Sequence, residues 1–550
     1  MNLKKKITLL VIGISMLTLS TLAQTLDRPK LVVGIVVDQM RWDYLYRYYD
    51  RYTKNGFKRM LHNGFSCENT FINYIPSYTA IGHATVYTGS VPAIHGIAGN
   101  DFIVQSTGKS QYCTGDENVF GVGISDRNLG TGKMSPANLK TTTITDELKL
   151  ATNFRSRVIG IALKDRGSIL PAGHAADAAY WFDGASGNWI TSTWYMEELP
   201  KWLSHFNAAG QPAKYLAQDW NPLYPIDTYL QSVKDNNTYE AAYNNSTTTA
   251  FPVKTSELMK TNGVGMIRAT PYGNTLTLDV ARLAVENERL GQRNVTDFLA
   301  VSLSSPDYIG HQFTPNSIKI EDCYLRLDKE LGDFFSFLDA KLGQENYLVF
   351  LTADHAVAHN AQFLKDNRLP GGIFNDSKLK DLLNSHLQSV FGVENLTLSL
   401  HNCQVNFNNK IIETVKIDRN ALLKSALEYL RSHDDIAFAV ETDKVSEASI
   451  PAVIKEKIIN GYNRKLCGEI QFILHPAWYG DSDWKGTTHG SWNPYDTHIP
   501  LLWMGWGIKH GNSNREIYMT DIAPTLAALL HIQMPSGCIG KPIVDLLENN

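Results

Sequence analysis

The stretch Leu31-Val32-Val33-Gly34-Ile35-Val36-Val37-Asp38 decides the fold class of this chain. Its apolar residues run without a break and are mostly β-branched, which is typical of a strand buried on both faces at the centre of a parallel sheet. Asp38 follows the run directly, and residues 41–61 then show apolar residues at helical spacing. This order predicts that Asp38 lies at the carboxyl end of a central strand, where open α/β sheets hold their ligands. Taken alone, an aspartate at this point is equally compatible with a plain helix cap.

Further apolar runs repeat this pattern at residues 157–163, 295–302, 347–352 and 500–505. They alternate with helical patterns, which predicts an α/β fold with a mostly parallel central sheet flanked by helices. Two segments, at about 178–273 and about 375–478, interrupt the alternation and are interpreted as insertions. The first is rich in Trp, Tyr, Asn and Pro and is expected to cover one side of the site. The second mixes helices and strands and is expected to form a subdomain within one catalytic domain of residues 24–550.

Residues 1–23 have the pattern of a cleaved signal peptide. Lysines at positions 4–6 precede the apolar run of residues 7–19, and small residues in Thr21-Leu22-Ala23 suit cleavage before Gln24. A membrane anchor is the alternative, but the run is short for a span and no second one follows. We therefore expect a periplasmic or secreted protein without stable membrane insertion.

The composition is that of a soluble globular protein. Hydrophobic residues make up 43% of the 550 residues, charged residues 19%, and the formal net charge is −4. There is no basic stripe, so a nucleic-acid partner is not expected. Six cysteines occur without a C-x-x-C pair. Disulfides suit an exported protein, but six cysteines allow fifteen connectivities, and buried thiols are the alternative.

The stretch Ile75-Pro76-Ser77-Tyr78-Thr79-Ala80-Ile81-Gly82-His83-Ala84-Thr85 contains the predicted nucleophile. Pro76 can end an extended segment, and a helix is predicted to begin at Ala80. A hydroxyl on Thr79 would lie in the positive field of the helix N-terminus, beside free backbone N–H groups, which suits attack on an anion. An ordinary Ser/Thr helix cap is the alternative for this stretch in isolation.

Side chains that can bind metals follow several of the predicted strands. Three carboxylates and three imidazoles occur at or after strand ends: Asp38, Asp307, His311, Asp354, His355 and His489. Without thiolates, this set suits two divalent cations, with zinc favoured over manganese. Two ions about 4 Å apart could activate a hydroxyl and stabilise a leaving oxygen. Because no Ser-His-Asp arrangement is evident, coordination as the alkoxide is the available way to activate Thr79.

Three further residues could bind an anion at this site. Asn100 lies in a Gly- and Pro-rich loop, where it could donate to a phosphoryl oxygen or merely form a turn. Lys164 and Arg166 follow the strand at 157–163, and a period of two would point both the same way, so that they converge on an anion. As charges at a strand end they could equally be solvated.

Together these motifs resemble the alkaline phosphatase superfamily, in its threonine-nucleophile branch of nucleotide pyrophosphatases/phosphodiesterases. Within that branch the chain is similar to secreted bacterial phosphate-irrepressible alkaline phosphatases. The matching pieces cover nearly the whole mature chain: Val36-Val37-Asp38, Pro76-Ser77-Tyr78-Thr79, His95-Gly96-Ile97 with Asn100, Asp307 with His311, Ala353-Asp354-His355, Thr488-His489-Gly490 and Asp521-Ile522-Ala523-Pro524-Thr525-Leu526.

The resemblance implies a phosphate monoester hydrolase that acts through a phospho-threonine on Thr79. One zinc ion would be held by Asp38, Asp354 and His355 together with Thr79, and the other by Asp307, His311 and His489. Asn100 would hold a phosphoryl oxygen. Lys164 and Arg166 would favour the dianion of a monoester, which makes small phosphate monoesters the expected substrates of a monomeric enzyme. The alternatives are a phosphodiesterase of the same superfamily and a catalytically inactive exported binding protein.

Overall fold

The computed structural model describes residues 26–480 and 484–548. The predicted signal peptide at residues 1–23 lies outside the described residues. Within the described ranges, no helix is both long and apolar enough to cross a membrane.

The central sheet is built around strand β1, whose seven residues are all buried. The strands of this sheet are β1 (Leu31–Val37), β2 (Phe65–Phe71), β5 (Gly121–Val122), β6 (Val158–Ala162), β7 (Ala178–Asp183), β8 (Asn188–Ser192), β9 (Asp297–Leu303), β10 (Tyr347–Thr352), β17 (His498–Ile499), β18 (Leu501–Gly505) and β19 (Gly511–Tyr518). Their order is β17-β2-β18-β10-β1-β9-β6-β7-β8-β5, with β19 beside β2.

The predicted α/β fold is confirmed, and the sheet is mixed. Strands β10, β1, β9, β6 and β7 are parallel neighbours. Toward the edges, β18 pairs antiparallel with β10, and β8 pairs antiparallel with β7. The β7–β8 connection is a short turn, which permits only antiparallel pairing.

Helices flank the sheet and connect its parallel strands. In chain order they are α1 (Tyr44–Arg47), α2 (Phe57–Asn63), α3 (Thr79–Thr88), α4 (Pro92–His95), α5 (Ile144–Ala151), α6 (Asp165–Ala172), α7 (Lys201–Ala208), α8 (Gln211–Leu216), α9 (Thr255–Asn262), α10 (Tyr272–Asn287), α11 (Ser305–Phe313), α12 (Ile318–Leu342), α13 (Ala361–Asp366), α14 (Asp376–Phe391), α15 (Asn409–Val415), α16 (Arg419–Arg431), α17 (Ala452–Gly461), α18 (Pro494–Thr497), α19 (Ile522–Leu530) and α20 (Val544–Glu548).

The carboxyl ends of four adjacent parallel strands meet at one edge of the sheet. Val36 of β1 is level with Ser302 of β9 and Thr352 of β10, and Ala162 of β6 is also level with Ser302. The segments that follow these strands therefore begin side by side, at the place where an open α/β sheet holds its ligands.

The first expected insertion begins later than predicted. Strands β7 and β8, within 178–192, pair with the central sheet, so that only the segment after β8 lies outside it. This segment carries α7, α8 and α9, and the buried Lys319 of α12 holds its loop through Glu240 at 2.8 Å. The strand predicted at residues 189–194 overlaps β8, but its sequence did not indicate that it pairs with the central sheet.

The second expected insertion has its own sheet and its own core. Strands β12 (Thr397–Ser399), β13 (Gln404–Phe407), β15 (Ile470–Leu474) and β14 (Ile436–Glu441) form a four-stranded sheet in that order. Its core includes Leu383, Leu422 and Phe472. Two small two-stranded sheets complete the fold: β3 (Asp101–Val104) with β4 (Lys109–Tyr112), and β11 (Gly372–Phe374) with β16 (Trp478–Gly480).

The expectation of disulfides is wrong for this structure. All six cysteines are free: Cys67, Cys113, Cys323, Cys403, Cys467 and Cys538. Burial raises the pKa of each thiol. They therefore behave as small apolar side chains of low reactivity, which was the alternative interpretation.

Candidate active site

Thr79 is the first residue of α3 and is buried. The preceding Tyr78 is extended, so the helix begins one residue before the predicted start at Ala80. Asn100 lies at this helix start, and its Oδ1 accepts a hydrogen bond from the backbone N–H of Ala80 at 3.0 Å. The Nδ2 of Asn100 has no acceptor among the described residues and is available to a bound oxygen.

A glycine lets helix α3 approach the segment that follows β10. A Cβ atom at Gly82 would lie 2.3 Å from the carbonyl oxygen of Asp354, closer than side-chain atoms ever approach. Only glycine therefore fits at this position. The close packing brings Thr79, one turn earlier in the helix, next to Asp354 and His355.

A first group of donor atoms surrounds the Nε2 atom of His355. The hydroxyl oxygen of Thr79 lies 3.4 Å from this nitrogen, and Asp38 Oδ1 and Asp354 Oδ2 each lie 3.5 Å from it. Both carboxylate oxygens are buried and have no hydrogen-bond partner among the described residues. Leaving such oxygens unsatisfied is costly, and a cation bound between them would remove that cost.

A second group of donor atoms lies around Asp307. Its Oδ1 is 3.1 Å from His311 Nε2 and 3.7 Å from His489 Nε2. Asp307 and His311 are four residues apart on α11, so they lie on the same face one turn apart. These three residues form one of two groups whose donor atoms could hold a metal ion, and the other joins Asp307 to Asp38 and His355.

Hydrogen bonds to backbone carbonyls orient all three imidazoles. The Nδ1 atoms of His311, His355 and His489 lie 2.8, 3.0 and 2.7 Å from the carbonyl oxygens of Thr487, Ala356 and Ser77. Donation from Nδ1 leaves the lone pair of each Nε2 directed at the carboxylates, as metal ligation requires. Burial lowers the pKa values of His355 and His489, which keeps these two imidazoles neutral.

The donor set fits two divalent cations with nitrogen and oxygen ligands. Among the described residues, the three imidazoles and the carboxylates of Asp38 and Asp307 form two overlapping groups of donor atoms, and Asp354 Oδ2 lies 3.5 Å from His355 Nε2. The absence of thiolates among these ligands is compatible with zinc in a site that keeps open positions. This grouping differs from the predicted one, because Asp307 belongs to both groups and Asp354, predicted for the first ion, belongs to neither.

Lys164 bridges the two groups of ligands. Its Nζ lies 2.6 Å from Asp38 Oδ2 and 2.5 Å from Asp307 Oδ2. Burial disfavours the charged amine, but Asp307 and Asp38 outweigh it and raise the pKa of Lys164, while Arg166 acts in the opposite direction. Lys164 is therefore charged. It contacts the Oδ2 atoms of Asp38 and Asp307 and leaves their Oδ1 atoms to the two groups of donor atoms.

The geometry of Arg166 differs from the prediction. Residues 165–172 form α6, so Arg166 lies in the first turn of a helix and the predicted period of two is wrong. Its Nη1 donates to the hydroxyl of Tyr112 at 2.9 Å, and that hydroxyl donates to Asp165 Oδ1, also at 2.9 Å. The Nε of Arg166 is buried and has no partner among the described residues.

Three residues near the site were not predicted from the sequence. Gln39 donates from its backbone to Asp354 Oδ1 at 3.1 Å and from its side chain to Asp307 Oδ1 at 2.7 Å. The Nδ1 of His83 lies 2.8 Å from the carbonyl oxygen of Thr79 and 3.3 Å from Asp354 Oδ2. The third is Tyr112. Only His83 carried a usable signal, because it is four residues after Thr79 and shares its helix face.

The sequence is similar to a known protein family and to several characterised proteins. A family model described as "Type I phosphodiesterase / nucleotide pyrophosphatase" matches residues 32–496. A Myroides odoratus protein named "Calcium-transporting ATPase" is 55% identical over 96% of both chains. Alkaline phosphatase PhoV of Synechococcus elongatus is 51% identical over 96% of this chain and 95% of its own length.

The alkaline phosphatase PafA of Elizabethkingia meningoseptica is 50% identical over 94% of this chain and 95% of its own length. The crystal structure of wild-type PafA superposes with a TM-score of 0.93 at 49% identity, covering 95% of this chain and all of the other. The sequence and the fold are thus similar to those of PafA over nearly the whole chain. The chain therefore belongs to the type I phosphodiesterase/nucleotide pyrophosphatase family of the alkaline phosphatase superfamily.

Proposed function

We propose that this protein is an exported, zinc-dependent alkaline phosphatase that hydrolyses small phosphate monoesters through a phospho-threonine on Thr79. One observation carries the proposal: the Thr79 hydroxyl lies beside His355 Nε2 and two unpaired carboxylate oxygens, those of Asp38 and Asp354. Two relatives that are about half identical over nearly the full chain are alkaline phosphatases. Residues 1–23 support export through their signal-peptide pattern.

The two ligand groups explain how a threonine can act as nucleophile. Bound divalent cations would lower the pKa of the hydroxyl and neutralise charge on the phosphoryl group. Asp38, Asp354 and His355 would hold the ion next to Thr79, and Asp307, His311 and His489 would hold the other. Helix α3 begins at Thr79, and the positive end of its dipole adds a favourable field for an anion there.

The reaction has two displacement steps at phosphorus. Thr79 gives its hydroxyl proton to solvent water, Oγ1 attacks the phosphorus, the bond to the ester oxygen breaks, and the leaving alkoxide takes up a proton from the same solvent. Water then attacks the phospho-threonine, which releases inorganic phosphate and restores the threonine. Asn100 Nδ2, Lys164 Nζ and the guanidinium of Arg166 would bind the phosphoryl oxygens.

Arg166 is expected to distinguish monoesters from diesters. A monoester dianion has one more charged oxygen than a diester, and the guanidinium can satisfy it. Arg166→Ala should lower kcat/KM for an aryl phosphate monoester by roughly 10³-fold and leave the methyl diester within about tenfold. The solvent-exposed Arg127→Ala is the matched control. Equal losses on both substrates would rule out the monoester assignment.

Tyr112 is expected to position Arg166, because its hydroxyl is the hydrogen-bond partner of Nη1. Tyr112→Phe should lower monoester kcat/KM by about tenfold, through kcat more than KM, since it removes the hydrogen bonds of the hydroxyl to Arg166 and Asp165 without touching substrate. In the Arg166→Ala background the same change should have almost no effect. Tyr239→Phe, on the surface, is the control. Additive losses in the double variant would show that Tyr112 does not act through Arg166.

The name of the Myroides relative suggests hydrolysis of ATP as a second candidate function. The terminal phosphoryl group of ATP is a dianion like that of a monoester, so the same site chemistry could act on it. Calcium transport would further require ATP-dependent uptake into vesicles. Comparing kcat/KM for ATP with that for an aryl phosphate separates the two functions, and an alkaline phosphatase should hydrolyse the aryl phosphate at least as efficiently.

A further inference from the structure

A cavity of about 550 Å³ extends outward from the candidate active site. Its inner wall includes Tyr78, Asn100 and His489, and its outer wall is formed by the second insertion, including Asp376 and Cys403. The proposed reaction uses only the inner wall. An ester bound with its phosphoryl group at Thr79 must place its leaving alcohol in the remaining space.

The walls of this cavity carry negative charge without compensating cations. The lining residues, all within the described ranges, include the carboxylates of Asp101, Asp376 and Asp496 and contain no lysine or arginine. Cys403 also lines the cavity. Burial, followed by the negative charge of Asp376, raises the pKa of its thiol to about 12. The charge of Asp376 is therefore felt within the cavity. The ligand expected in such a space has no negative charge of its own.

The carboxylate of Asp496 is buried in this wall. The residue is 1% exposed, and its Oδ2 accepts from the backbone N–H of Ser491 at 2.8 Å. Its Oδ1 is buried without a hydrogen-bond partner among the described residues. The nearby guanidinium of Arg41 is already bound to Asp43 at 2.7 Å. A donor or cation on a bound ligand would satisfy the free oxygen.

Aromatic rings complete the lining. Tyr78, Trp478 and Trp492 all face the cavity, and the ring of Tyr78 lies edge-on to His489 with centroids 5.5 Å apart. Aromatic faces attract ammonium groups, including quaternary ones, and also pack against uncharged alkyl chains. The indole N–H of Trp492 is buried without a partner among the described residues and could donate to a hydroxyl.

We propose that this cavity is the leaving-group site and that it selects phosphate monoesters of alcohols that carry an ammonium group or no charge, against alcohols that carry further carboxylates or phosphates. The inference rests on the proposed phosphatase function, since it assigns the phosphoryl group to Thr79. It also disfavours nucleoside triphosphates, whose leaving group is a polyanion.

Three esters whose leaving groups carry a positive charge, no charge and a negative charge test the inference. Choline phosphate, its uncharged isostere 3,3-dimethylbutyl phosphate and the carboxylate-bearing 3-phosphooxypropanoate are compared by kcat/KM at pH 9. We expect wild-type enzyme to favour choline phosphate over the carboxylate ester by roughly tenfold, with the neutral ester between them. Raising the salt concentration should shrink this ratio.

Variants on one helix supply the decisive comparison. Asp376 is exposed at the start of α14, and Asp381 is exposed on the same helix but does not line the cavity. Asp376→Asn should reduce the choline-to-carboxylate ratio by roughly threefold and Asp376→Lys by more, whereas Asp381→Asn should leave it unchanged.

Two results would overturn the inference: a wild-type ratio of one or less, or a ratio that Asp376→Asn changes no more than Asp381→Asn. Failure of the underlying phosphatase function would look different. In that case the wild-type enzyme would not hydrolyse even the neutral ester, whereas a wrong leaving-group assignment leaves that activity intact.

Discussion

Replacing Thr79 by alanine should lower kcat for an aryl phosphate monoester by roughly 10⁴–10⁶-fold, the loss expected when a nucleophile is removed from a covalent mechanism. The hydroxyl oxygen lies 3.4 Å from His355 Nε2, beside two carboxylate oxygens without partners among the described residues, and nothing else at the start of α3 supplies an equivalent nucleophile there. Steady-state kinetics on the purified variant measure the effect.

Two controls separate a lost nucleophile from a damaged site. Thr79→Ser keeps a hydroxyl at the same position and should retain most of the activity that Thr79→Ala loses. Thr79→Ala should still bind inorganic phosphate and still hold metal, because Asp38, Asp354 and His355 remain. If Thr79→Ala kept more than a tenth of the wild-type kcat, the nucleophile assignment would fail.

Removal of metal should be the second large effect. A chelator should abolish monoester hydrolysis, because the proposed activation of Thr79 depends on a bound cation, and added Zn²⁺ should restore the activity. Without the cation, Asp38 Oδ1 and Asp354 Oδ2 are buried oxygens without a partner among the described residues. Metal binding at a concentration of about 1,000 times Kd contributes about 4 kcal/mol to the free energy of unfolding. The chelated protein should therefore also unfold at a lower Tm.

Metal analysis of two histidine variants tests the assignment of the second group. The native protein should contain two zinc ions per chain, and His489→Ala should lose one of them. His510→Ala, which replaces an exposed histidine outside both ligand groups, should keep both zinc ions. Equal metal content in His489→Ala and wild type would show that His489 is not a ligand.

The backbone of the site could be predicted because its signals are local. The β-branched run at 31–37 marks a strand buried on both faces, and Asp38 must then lie at its carboxyl end. The spacing of Asp307 and His311 likewise places both on one helix face, whatever the surrounding fold. Runs and spacings of this kind depend on few distant contacts.

Contacts between distant residues could not be predicted in the same way. Lys164 lies 126 and 143 residues from Asp38 and Asp307, and no pattern near Lys164 signals that pairing. Only two residues separate the short strand β6 from the helix that begins at Asp165, so the start of this helix was not recognised. Arg166 was therefore predicted to follow the strand period when it lies in the first turn of the helix. The free cysteines were misjudged because their number, and not their positions, suggested disulfides.

The most direct measurement of the central claim is the ratio of kcat/KM for an aryl phosphate monoester to that for its methyl diester, on the wild-type enzyme in the presence of Zn²⁺. A phosphate monoester hydrolase that uses Arg166 for the additional charged oxygen should favour the monoester by roughly 10³-fold or more. A ratio near one, or a preference for the diester, would contradict the proposed function and assign the chain to the diesterases of its family.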